Sequence, residues 1–172
     1  MAQESMLVTV IKRIVLPLVA LFSLIGVLAF FLLGPSKVAL PNGEDARVVY
    51  VVDGDTIHVE IAGQTYRVRY IGIDAPESTS EIECFGREAT DFNRALVAGQ
   101  RLRLERDVNE TDRYGRLLRY AYLPDGRMVN EVLVREGYAL ARSFPPDVKH
   151  QDRLRDAERD ARQARRGLWG KC

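Results

Sequence analysis

The sequence is poor in several residue types from which functional sites are commonly built. Its 172 residues include two histidines, two cysteines and one tryptophan. His58 and His150 have no partner at ligand spacing, which argues against a histidine-based metal or catalytic cluster; both read as structural or solvent-facing. Two cysteines, Cys84 and Cys172, permit at most one disulfide and exclude a disulfide-dense scaffold. An excess of charge is missing too: 25 basic residues face 24 acidic ones. Of these only Glu4, Lys12 and Arg13 precede residue 35, so the rest of the chain is balanced. Bulk charge therefore cannot hold a polyanion, and any nucleic-acid contact has to be local. There is no internal repeat or low-complexity tract, and the length leaves no room for a second full domain.

What the chain does have is one long apolar run. Ile14 to Gly34 carries no charge and follows directly on Lys12 and Arg13. As a helix it spans roughly 30 Å, the thickness of a bilayer's hydrocarbon core. It is longer than a typical signal-peptide core and no clean small-x-small cleavage site follows it, so residues 1–34 read as a membrane anchor. Cleavage and release of the remainder is the alternative. A core helix fits worst, because the run has no polar face. The basic N-terminal flank favours a cytoplasmic N-terminus, which puts the rest of the chain outside the cytoplasm. In an oxidising compartment Cys84 and Cys172 either form a disulfide that closes most of the domain into one loop or remain two unrelated thiols.

Residues 35–45, with two prolines and a glycine, read as a linker, and 46–170 as one domain. Short alternating segments suggest strands at Ala46–Val52, Thr56–Ile61 and Thr65–Ile71. A helix is expected over about Gly86–Val97, then strands at Arg101–Glu105 and Leu117–Leu123, and helices at Val129–Glu136 and His150–Arg166. This order, with short strands and helices filling the gaps, points to a small closed or nearly closed β-barrel rather than a parallel sheet.

Three polar groups sit at strand ends and in loops. Asp53-Gly54-Asp55-Thr56 joins the first two strands and presents hard oxygen ligands suited to a divalent cation, although such a turn is often only a hairpin. Arg69 shares a strand face with Arg67, so either can meet a phosphate, and the following loop carries Asp74, Ala75, Pro76 and Glu77, with Pro76 stiffening the turn. The third group, Thr111 to Arg116, brings Arg113, Arg116 and the ring of Tyr114, suited to phosphate oxygens and to stacking on a base or sugar. Singly, each reads better as a turn or a surface ion pair. Together they supply what phosphodiester hydrolysis needs: a cation site, a base for water, and fixed positive charge.

From about Val48 to Trp169 the chain resembles the thermonuclease family, the relatives of staphylococcal nuclease. The resemblance rests on Val52-Asp-Gly-Asp-Thr56, Arg69 through Asp74-Ala-Pro-Glu77, Asp112-Arg-Tyr-Gly-Arg116, Gly126-Arg-Met-Val-Asn-Glu131 and Gly167-Leu-Trp169. It implies a mainly β fold with helices (α+β), a five-stranded OB barrel with three helices. It also implies a calcium-dependent endonuclease acting on DNA, RNA or both and leaving 3′-phosphates. By position, Asp55, Asp74 and the carbonyl of Ala75 match the calcium ligands, Glu77 the residue that activates water, and Arg69 and Arg116 the catalytic arginines. Tyr114, with Arg113 beside it, matches the nucleotide side. Expected partners are nucleic acid and, through residues 14–34, a membrane, with the domain monomeric.

The sequence departs from the family in three places. Ala75 replaces a threonine, the loop between Glu77 and Cys84 is shorter, and Arg142 falls where a second nucleotide-side tyrosine stands. Family barrels that have lost catalytic residues serve as binding modules, which is the alternative reading. Here the acids and arginines of the family's site are all present.

Overall fold

The computed structural model describes residues 43–78 and 82–172. The apolar run at 14–34 lies outside them; among the described residues no helix is long and apolar enough to cross a membrane. Strands β1 (Gly43–Val51), β2 (Thr56–Ile61) and β3 (Gln64–Tyr70) come first, then a short β4 (Ile73–Asp74) and helix α1 (Gly86–Val97). They are followed by β5 (Arg101–Glu105), β6 (Leu117–Tyr122), α2 (Val129–Arg135), β7 (Leu140–Ala141), α3 (Gln151–Gln163) and a final turn, α4 (Leu168–Lys171).

The five longer strands close into a barrel in the order β1-β2-β3-β6-β5. β1, β2 and β3 form an antiparallel meander, β5 pairs antiparallel with both β1 and β6, and β3 lies parallel to β6. This is the five-stranded OB architecture, with α1, α2 and α3 as its three main helices.

The alternation in the sequence decides which side chains enter the barrel. Ile57 and Val59 on β2, Val68 on β3, and Leu102 and Leu104 on β5 are almost wholly buried, while His58 and Glu60 face outward. Each such aliphatic side chain contributes about 1.5–3 kcal/mol by leaving water. β6 is buried on both faces from Arg119 to Tyr122, because α2 packs outside it. Ala62 and Gly63 turn β2 into β3 with positive φ at both positions, the geometry of a tight hairpin turn.

β1 begins at Gly43, three residues before the pattern suggests, because Gly43–Asp45 pair with Glu105–Arg103 on β5 although their side chains remain exposed. The β4–β7 ladder was not expected. Its two-residue strands are too short to show alternation, yet it pairs Ile73 with Ala141 and Asp74 with Leu140, and the Arg142 amide donates to the Gly72 carbonyl at 2.9 Å. Cys84 and Cys172, with Cα atoms 6.0 Å apart, are joined as a disulfide that ties the start of α1 to the chain end.

Candidate active site

The three sequence groups lie around strands β1, β2, β3 and β6. In the turn from β1 to β2, Asp53 serves the backbone: its Oδ1 accepts the amides of Asp55 at 2.9 Å and Thr56 at 2.7 Å. Its carbonyl accepts Nδ2 of the fully buried Asn93 on α1 at 2.9 Å. With Asp53 occupied in this way, Asp55 is the carboxylate the turn presents. A Cβ on Gly54 would lie 2.5 Å from Cβ of Ala75 and 3.1 Å from that of Ala89, so only glycine lets this turn close on the loop after β4.

Asp55 and Asp74 converge on one nitrogen. Nη2 of Arg69 is 3.0 Å from Oδ2 of Asp55 and 2.9 Å from Oδ1 of Asp74. The same guanidinium donates through Nη1 to the carbonyls of Tyr70 at 3.1 Å and Ile73 at 2.9 Å. Asp55 also accepts the Ala75 amide at 2.8 Å and the Thr56 hydroxyl at 3.0 Å. Burial pushes its carboxyl up to about 7 against the opposing pull of Arg69. A further positive charge nearby would favour its ionised form.

Glu77 follows three residues after Asp74. Its Oε1 accepts the Ser78 amide at 2.8 Å, its own amide donates to Glu83 at 2.9 Å, and its carbonyl accepts the Glu83 amide at 2.9 Å. A Cβ at Gly86 would fall 2.1 Å from that carbonyl oxygen, so the glycine opening α1 lets the helix seat directly on the Glu77 backbone. The loop is thus bound at both ends, with residues 79–81 outside the described part.

Arg116 enters from the other side of β3. Leu118 on β6 is opposite Arg69, and Arg116 lies two residues before it, just ahead of the strand. Its Nε donates to Oδ2 of Asp112 at 2.6 Å, and its amide to Oδ1 at 3.0 Å. Tyr114 is 64% exposed. Its ring lies under the guanidinium of Arg113 at 4.8 Å and near that of Arg116 at 5.5 Å. The Arg142 side chain donates to the carbonyl beside it, that of Ala141, at 3.4 Å.

The structure therefore joins Asp55, Asp74, Ala75 and Arg69 by direct contacts, and links Arg113, Tyr114 and Arg116 in a second group on the neighbouring strand end. Asp112 clamps Arg116, an Asp-Arg pairing that the third sequence group left open, while Asn93 and Asn130 are positioning residues to which the sequence assigns no role; the Asn130 side chain donates to the Ile71 carbonyl at 2.9 Å and accepts the Ala121 amide at 3.0 Å. Asn130 falls within the Gly126–Glu131 motif of the family resemblance, and nothing in the local pattern around Asn93 points to its role.

Among the described residues no three His, Cys, Asp or Glu side chains cluster to hold a metal on their own. The available donors are two carboxylates and main-chain oxygen. Such a set fits a hard cation like calcium, which takes oxygen ligands and completes its shell with water, and does not fit a soft one.

Residues 67–171 match the model of the staphylococcal nuclease homologue family. A thermonuclease of Staphylococcus hyicus is 39% identical over 142 residues, covering 79% of this chain and 83% of the relative. One from Staphylococcus intermedius is 37% identical over 141 residues with the same coverage. An uncharacterized endonuclease of Escherichia coli is 40% identical over 124 residues, covering 72% of this chain and 75% of the relative.

Proposed function

Since this chain belongs to the family of staphylococcal nuclease homologues, we propose that it is a calcium-dependent endonuclease that hydrolyses phosphodiester bonds of DNA, RNA or both and leaves 3′-phosphates. The observation that carries this reading is the meeting of the Asp55 and Asp74 carboxylates at Nη2 of Arg69. Acid and guanidinium are held there at the barrel's edge by backbone contacts from β3, β4 and the loop that follows β4.

Asp55, Asp74 and the Ala75 carbonyl would hold the calcium ion, which supplies positive charge beside the phosphate when bound. Glu77 takes a proton from water as the water oxygen bonds to phosphorus. The bond from phosphorus to the 5′ oxygen breaks as that bond forms, and the leaving oxygen takes a proton from solvent to end as a 5′ hydroxyl. Negative charge grows on the phosphoryl oxygens, where Arg69 and Arg116 meet it. Both guanidiniums are oriented beforehand, Arg69 by two carbonyls and two acids and Arg116 by Asp112, so little reorganisation is required at the moment of reaction. Tyr114 and Arg113, exposed beside Arg116, meet the base or sugar.

The reading extends to location: residues 14–34 tether a monomeric domain outside the cytoplasm. The Cys84–Cys172 disulfide supports this, because such bonds persist in oxidising compartments.

The test is to incubate the protein with single-stranded DNA and with RNA, each with calcium or a chelator, and to identify the ends produced. Cleavage unaffected by chelation would remove calcium from the mechanism, and 5′-phosphate ends would overturn the product assignment. Binding without cleavage would favour a non-catalytic barrel.

A further inference from the structure

Tyr50, His58 and Arg67 form one row across β1, β2 and β3: Tyr50 pairs with His58, and His58 pairs with Arg67. Val51, Ile57, Val59 and Val68, their neighbours along these strands, are buried in the barrel, so the row occupies its outer face. β1 makes this possible through a bulge. Its register shifts between Val48 and Tyr50, leaving Val49 and Tyr50 both exposed where strict alternation would bury one of them.

Tyr50 is 61% exposed. Its ring lies 5.7 Å from that of His58 at 53°. Arg67 is exposed and forms no ion pair among the described residues. On β3 it stands two residues before Arg69, about 6.6 Å along the strand and on the same face. Arg67 therefore links the row to Arg69 of the candidate active site along β3.

An exposed ring beside a cation, contiguous with a guanidinium that meets phosphate, has the chemistry of single-stranded nucleic-acid binding. Every base offers a face to stack, and every link offers a charged phosphate. We infer that Tyr50, His58 and Arg67 form a subsite for a nucleotide flanking the scissile phosphate of a single-stranded polynucleotide. Tyr50 and His58 are the stacking platform, and Arg67 is the clamp on the neighbouring phosphate. The inference rests on the nuclease reading above and adds a length dependence to it. A strand long enough to reach the row gains contacts that a dinucleotide cannot make, and a duplex withholds its bases from the platform.

The test compares the full chain with a variant combining Tyr50→Ala, His58→Ala and Arg67→Ala, and with one combining Tyr50→Phe and Arg67→Lys. Cleavage of a long oligothymidylate and of a thymidine dinucleotide is measured in calcium. Binding of labelled oligothymidylate is measured by fluorescence anisotropy in chelator. In the alanine variant the ratio of kcat/KM for the long strand to that for the dinucleotide should fall about tenfold, with a similar loss of binding, while the conservative variant keeps most of both. An unchanged ratio and unchanged anisotropy would overturn the subsite while leaving the nuclease reading in place. Weakened binding by the alanine variant, in a protein that cuts neither substrate, would keep the subsite and remove the nuclease reading.

Discussion

Nη2 of Arg69 lies 3.0 Å from Oδ2 of Asp55, and that oxygen also accepts the Ala75 amide at 2.8 Å. Both side chains are largely buried, 14% and 8% exposed. Removing one member of such a pair leaves the other buried without its charge partner. Arg69→Ala should therefore lower stability by about 3 kcal/mol, measured by urea unfolding. Arg69→Ala combined with Asp55→Asn should lose less than the sum of the two single changes. Strict additivity would mean that the pair is not coupled.

Calcium, if held by Asp55 and Asp74, binds the folded chain only, so it must raise the melting temperature. At about a hundred times its dissociation constant the gain is about 2.7 kcal/mol. Asp74→Asn should abolish the calcium-induced rise in a thermal melt. A rise that survives both Asp74→Asn and Asp55→Asn would place the ion elsewhere.

Arg116 is pre-set by Asp112, whose carboxyl burial tends to raise while the Arg116 and Tyr114 amides and the Arg116 side chain together draw it below its usual range. A guanidinium that meets charge only in the transition state acts on turnover. Arg116→Ala should lower kcat about a hundredfold with little change in KM. Asp112→Asn, which keeps the shape but weakens the clamp, should lower kcat by less. If KM alone rises, Arg116 is a binding residue.

The barrel could be read from Ile57, Val59, Leu102 and Leu104, whose alternation is clean because one side of each strand faces the core. Asp55 and Asp74, which meet at Arg69, stand where strands give way to loops, and it is the family motif that marks them as candidate ligands. Two-residue strands carry no period, so β4 and β7 and the anchoring of Asp74 by Leu140 were hidden. Arg119 was hidden as well. An arginine in a strand reads as exposed, yet it is 2% exposed, with its guanidinium on the carboxylates of Glu44 and Glu110, which lie 75 and 9 residues away in sequence. His150 read as structural, and it packs edge-on against Tyr120 at 4.6 Å. Its carboxylate partner, Glu105, lies 45 residues earlier and left no trace in local pattern.

The Cys84–Cys172 disulfide closes residues separated by 88 positions. A loop of this length restricts the unfolded chain strongly, and Cys172→Ser should cost about 4 kcal/mol. Cys84 follows Glu83, which holds the Glu77 amide, so the same substitution should lower kcat through the Glu77 loop. Urea midpoints and turnover with and without reductant check both. Activity unchanged at full folding would limit the bond to a stabilising role.

Glu105 is the centre of a network at the end of β5. Tyr122 donates to its Oε2 at 2.6 Å, Nε2 of His150 lies 3.0 Å from the same oxygen, and Lys149 reaches Oε1. Burial works to raise this carboxyl, but the hydrogen bonds from Lys149, Tyr122 and His150 outweigh it and hold it at about 2, against a usual value near 4.5. A folded pKa below the unfolded one stabilises the protein above the unfolded value, and that contribution is lost as pH falls through the folded one. Glu105→Gln should therefore cost about 2 kcal/mol at neutral pH. Lys149 is half exposed, so water screens part of its contribution. The gap between variant and parent in urea midpoints should narrow between about pH 4.5 and 2. A gap that stays constant over that window would show that Glu105 acts through shape rather than charge.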